Sequence, residues 1–223
     1  MIDKYYLYLS EKNFKFSDEG YPIFESSMFL DEYPELIVPV NQKKNQRIKN
    51  PKKTVICFFC KDSLIYPRYD KIFEEIDMYK EYMAVIEPDI TVTADMDIEW
   101  QNTIMLLNQL FMAVLAVNGI KVILNTRMGV ETTIKAFENI PKYVMVASSF
   151  LGCDRKYIPD DYTYVTKIMT LLPSRLILYG ACNDKLQEKI EDMGICCRKY
   201  MSFRILCKKE KLDKEERLTI KSQ

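Results

Sequence analysis

The chain has 223 residues, 48% hydrophobic and 29% charged, enough to bury a sizeable core in one domain. Lys+Arg and Asp+Glu are both 32, so no global field favours nucleic acid or a membrane surface. Histidine is absent, which excludes Ser-His and Cys-His dyads, His-ligated metals and imidazole acid–base chemistry, and leaves catalysis to carboxylates, Lys, Tyr, Cys or an oxygen-ligated metal.

Residues 1–33 are aromatic and polar without a clear period, and Tyr5, Tyr6, Tyr8, Phe14, Phe16, Tyr21 and Phe24 are expected to form an extended cover that packs rings on the core. Glu35 to Val40 (ELIVPV) reads as a first short strand, with Pro39 favouring an edge. Residues 41–53 form a basic loop without an acid, and Thr54 to Cys60 (TVICFFC) is a strong buried strand. Cys57 and Cys60 form a C-x-x-C inside that apolar run; a zinc site needs four ligands and no second pair follows. Seven cysteines without a secretory leader fit a reduced, cytoplasmic setting. Pro67 to Tyr82 reads as a loop and a helix.

Met83 to Ile86 is a continuous apolar run, as in a strand covered on both faces. Pro88 then ends the ladder, and Asp95 or Asp97 can cap the long helix that follows. Its expected apolar stripe is Trp100, Ile104, Leu107, Phe111 and Val114 at helical spacing. Thr103 to Ile120 nearly has the length of a membrane span, but Asn108, Gln109 and Asn118 interrupt it, so no membrane partner is expected. Beyond it come strands Lys121 to Asn125, Tyr143 to Ser148 and Arg175 to Gly180. Helices are expected within Gly129 to Asn139, Asp160 to Leu172 and Asn183 to Met193, and Ile195 to Leu206 reads as a last strand, set antiparallel.

Strand and helix alternate five times from Thr54, which argues an α/β fold: a mostly parallel sheet of about six strands with helical crossovers. An open three-layer sheet is preferred over an incomplete β/α barrel. Residues 1–207 form one domain, and 208–223 a charged tail.

Right-handed crossovers send every strand's carboxyl end to one edge, where ligands bind in doubly wound sheets and barrels alike. Asp62, Asp89 and Asp95 at that edge are candidate catalytic acids, or ligands for Mg²⁺. Glu87, Asn125, Arg127, Ser148 and Tyr179 are candidate ligand-binding residues, with Arg127 suited to an anion or to a structural pair with Asp62 or Asp89. Lys43, Lys44, Arg47, Lys49, Lys52 and Lys53 of the basic loop offer a phosphate-backbone contact, against the plainer reading of a solvated loop. No G-x-x-x-x-G-K-[ST], G-x-G-x-x-G or G-x-S-x-G occurs.

The strand ends carry an ordered set of short motifs: TVICFFCKD, EPD, ADM followed by Trp100, Gly119 to Ile123, IPK, VMVAS and ILYG. In that order they resemble domain-of-unknown-function family 4417, over roughly Pro34 to Gly180. Glu87 stands where that pattern usually has Ser, Asp97 where it has Pro, and Arg127 and Met128 where it has Trp. The resemblance implies a phage or mobile-element protein and no particular reaction. Two classes of function follow: a domain acting on or binding a phosphorylated or nucleic-acid ligand at the strand ends, or a non-catalytic protein that binds a host- or element-encoded partner.

Overall fold

A computed structural model of the chain describes residues 1–127, 129–150, 161–182 and 184–209. Seven parallel strands lie in sequence order, β1 (Leu36–Pro39), β2 (Thr54–Cys57), β3 (Ala84–Ile86), β4 (Val122–Asn125), β5 (Met145–Ser149), β6 (Arg175–Tyr179) and β7 (Cys196–Tyr200). The crossovers carry α2 (Asp62–Lys80), α3 (Ile98–Val117), a 3₁₀ helix (Glu131–Phe137), α4 (Asp161–Leu171) and α5 (Asp184–Asp192). Strand order decides between the two architectures. An open doubly wound sheet must reverse its order to place helices on both faces. Here the order never reverses, so right-handed crossovers put every helix on one face and the sheet curls into a half barrel. The preferred open sheet is therefore corrected to the incomplete barrel. β7 is likewise corrected from antiparallel to parallel, paired from Arg175↔Cys196 to Tyr179↔Tyr200, because α5 returns the chain to the starting edge.

Alternate strand residues face opposite layers. Ile56, Val85, Leu124, Val146 and Leu178 pack under the helices. Val55, Cys57, Ile86, Ile123, Ala147 and Ile177 line the concave interior. Both faces are apolar, which is why the strands read as continuous rather than alternating runs.

The N-terminal segment packs first on the helix layer and then crosses the amino-terminal end of this half barrel. It begins not as extended chain but as α1 (Ile2–Glu11), whose Tyr5 and Leu9 are buried. The Tyr5 hydroxyl donates to the Tyr69 carbonyl at 2.7 Å, and its ring meets Phe73 at 5.6 Å. The aromatic spacing was thus helical in part. The chain then passes under the sheet, where Leu30 N–H donates to the Val122 carbonyl at 3.0 Å. Across the gap between β1 and β7, the Tyr33 hydroxyl donates to Cys196 O and the Tyr200 hydroxyl to Pro34 O, each at 2.7 Å. Among the described residues the amino end is plugged and the carboxyl end is open.

α3 is capped by Asp97, whose carboxylate accepts the Glu99 N–H at 2.9 Å. The expected stripe holds except at its start: Ile104, Phe111 and Val114 are buried and Leu107 half-buried, but Trp100 is 60% exposed. The first turns bury Gln101 instead, because its amide is used twice, donating to Met96 O at 2.7 Å and accepting Val130 N–H at 2.8 Å. A polar side chain with both ends satisfied can be buried, and that rotates the helix away from Trp100. By length and composition α3 would pass for a membrane span, but 67% of its apolar window is buried inside the fold, so it is the core helix. α2 starts earlier than expected, at Asp62, with Pro67 inside it, and the helix expected after Gly129 is the 3₁₀ helix.

Candidate functional site

The strands end where apolar residues give way to polar ones, and several of those stay buried. Glu87 is 4% exposed and Asp89 8%, with Asn125, Thr126 and Ser148 beside them on β4 and β5. Asn125 ties the two acids together: its backbone N–H donates to Glu87 Oε2 at 3.0 Å and its side-chain amide to Asp89 Oδ1 at 2.8 Å. Arg127 grips the same aspartate in a fork, Nε to Oδ1 at 2.9 Å and Nη2 to Oδ2 at 3.2 Å. Thr126 and Ser148 share a hydroxyl–hydroxyl hydrogen bond, and Lys167 of α4 donates to the Thr126 carbonyl at 3.0 Å.

The two carboxyls have different surroundings. Burial pushes Glu87 up to about 8; the Asn125 N–H works against that shift and the neighbouring Asp89 charge adds to it. Asp89 has a guanidinium partner, whereas Glu87 accepts the Asn125 N–H. A carboxyl whose proton is retained by burial thus lies beside the Asp89–Arg127 ion pair.

Asp89 and Arg127 open onto a cavity of about 520 Å³, also lined by Cys60, Lys61, Asp62 and Thr91. Asp62 is fixed at its rim, accepting Thr91 N–H at 3.3 Å and Thr91 Oγ1 at 3.2 Å. Burial raises the Cys60 thiol to about 11, so it is no nucleophile at neutral pH. Asp95 lies exposed in its loop, and a hydrogen bond from the Thr93 hydroxyl lowers its pKa. Asp62 and Asp89 thus line one cavity and Asp95 does not; Asp62 is held by Thr91, Asp89 by Arg127 and Asn125, and Asp95 by Thr93. Among the described residues, no three acidic or thiol side chains are placed to hold a metal ion.

Tyr179 is buried at the end of β6, where its oxygen accepts Phe203 N–H at 2.8 Å and its ring packs on Phe59 at 5.1 Å. It lines a second cavity of about 690 Å³ between the two edges of the half barrel. The basic loop is built partly into the fold. Lys43 pairs with Glu75 at 2.8 Å, Lys53 with Glu35 at 2.7 Å, and Lys52 donates to Lys80 O at 2.8 Å. Lys44 and Arg47 line a third depression of about 420 Å³, and Lys49 is exposed.

A family model described as "Domain of unknown function (DUF4417)" matches residues 19–200 of the 223. The chain belongs to that family. The match covers the seven strands and the acid–Arg127 cluster, so the half barrel is this family member's domain, and the resemblance drawn from the strand-end motifs holds. No curated protein and no solved structure matches the chain.

Sequence reasoning found Glu87, Asp89, Asn125 and Arg127 by strand ends alone. It missed Thr91 as the partner of Asp62, and Phe203 and Arg204 as walls of the second cavity. A Thr two residues after a Pro-Asp turn carries no pattern, and Phe203 and Arg204 were taken for part of a strand.

Proposed function

We propose that this family member binds a phosphorylated ligand at the open carboxyl end of its half barrel, as a cytoplasmic protein of a phage or mobile element. The observation that carries the reading is the burial of Glu87 and Asp89 beside Arg127 at the one end of the sheet left open. Burying two carboxyls destabilises a fold unless they are paired or neutralised, and an apolar strand end would pack there at no such cost. Arg127 keeps 29% of its side chain exposed on the cavity side and Lys61 stands across from it, so an anion entering there meets two cations. Glu87 lies beneath as a neutral hydrogen-bond donor or proton source. Calorimetric titration with inorganic phosphate and with nucleoside monophosphates tests the reading. Heat that Arg127→Gln and Lys61→Ala both diminish supports it; no heat with any phosphorylated compound refutes it.

A second reading, a non-catalytic protein that docks on a partner, is favoured by Trp100, 60% exposed beside Ile98, 41% exposed, on the first turn of α3. Large apolar side chains adjacent on a surface mark interaction sites.

A further inference from the structure

The three depressions on the open end are not separate. The acid–Arg127 cavity and the 690 Å³ cavity share Phe59, Cys60 and Lys61; the latter and the 420 Å³ depression share Asn41 and Gln42. They form one trench across the mouth of the half barrel, from Arg127 past β2 and over the gap between β7 and β1 to the basic loop. Its charge is one-sided. Lys61, Arg204 and Lys208 line the middle and Lys44 and Arg47 the far part, and among the described residues no carboxylate lines either. Acids enter only at the end where Asp89 is already paired with Arg127 and Asp62 is held by Thr91.

We propose that this trench holds a segment of single-stranded nucleic acid, its phosphates following Lys61, Arg204, Lys208 and Lys44 with one end at the Arg127 cavity. A lone phosphate or mononucleotide would use one of these cavities and leave the other cations without a role. A chain of phosphates at regular spacing matches cations at successive stations, as in grooves that track a nucleic-acid backbone. The basic loop then divides in two: Lys43, Lys52 and Lys53 serve the fold through their pairings, and Lys44 serves the ligand. The net charge of zero is no objection, because the cations are gathered on one face. The inference rests on the reading that the open end is the functional site.

Fluorescence anisotropy of the full chain with a labelled single strand of about ten nucleotides tests it. Neutralising four phosphates gives a slope of log K on log salt of about −3, or a loss of about 50-fold between 50 and 200 mM salt. Arg204→Ala, Lys208→Ala and Lys44→Ala should each weaken binding and each flatten that slope by about 0.7. Lys71→Ala, on the exposed side of α2, should do neither. Oligonucleotide binding that ignores Arg204→Ala and Lys44→Ala overturns the inference. So does a duplex that binds as tightly as the single strand. Mononucleotide binding as tight as that of the oligonucleotide, with a slope near about −1, overturns it and leaves the phosphorylated-ligand reading standing. Absence of binding by oligonucleotide, mononucleotide and phosphate overturns both.

Discussion

Glu87→Gln is the perturbation most closely specified by the geometry. Glu87 is buried, and its pKa rises from an ordinary 4.5 to about 8. The folded value lies above the unfolded one. Between pH 4.5 and about 8, then, the folded chain holds a proton that the unfolded chain has lost, and stability falls as pH rises. The contribution is fully present below pH 4.5, declines by about 1.4 kcal/mol per unit, and is gone above about 8. Over the whole window the shift amounts to about 5 kcal/mol as an upper bound. Gln is neutral at every pH and its carbonyl can accept the Asn125 N–H as Glu87 Oε2 does. The variant should match the native chain near pH 5 and exceed it by about 3–5 kcal/mol near pH 8. Urea unfolding at unit pH steps from 5 to 8, comparing the two chains at each pH, isolates this one group from every other titration. Parallel curves for the two chains would mean that Glu87 is charged in the fold. A Gln variant less stable at pH 8 would sink the reasoning outright.

Three further outcomes follow from packing and charge. Phe111→Ala should lose about 3–5 kcal/mol, because its ring is fully buried against Phe58 at 5.2 Å and Tyr69 at 5.4 Å; half-buried Leu107→Ala should lose about 1–2 kcal/mol, and exposed Trp100→Ala within about 0.5 kcal/mol, all read by chemical denaturation. Asp89→Asn should cost about 2–4 kcal/mol, since it removes the charge that the Arg127 fork grips, and Asp89→Asn and Arg127→Ala should be non-additive in a double-mutant cycle. Thermal melting should be the same in millimolar Mg²⁺ and in EDTA, because Asp62, Asp89 and Asp95 each have a partner of their own; a rise with Mg²⁺ that Asp89→Asn removes would show a cation bound at Asp89.

β1 to β6 were legible because each is largely apolar and each is punctuated, whereas β7 carries Arg198 and Lys199 and is mostly exposed. Thr54 to Cys57 and Val122 to Asn125 sit inside the runs read from composition, and Pro39 marked β1 as an edge. The curl was not legible, because the same βα alternation builds open sheets and barrels, and only the order of the strands separates them. The site was half legible. Glu87, Asp89, Asn125 and Arg127 follow from strand ends and crossover handedness. That Arg127 takes Asp89 rather than Asp62 depends on register between β3 and β4, Ile86↔Ile123, which no local pattern encodes. Trp100 misled because helical spacing gives a face but not which face is buried; the two hydrogen bonds of Gln101 decide that.

The central claim, that the open end of the half barrel is where a phosphorylated ligand binds, is tested most directly by following backbone amide resonances during a titration with inorganic phosphate and then a nucleoside monophosphate. The account predicts saturable shifts concentrated at Lys61, Asp62, Thr91 and Arg127, which surround the cavity. Shifts confined to the first turn of α3 around Trp100, or to the plugged amino-terminal end near Leu30 and Lys121, would contradict it.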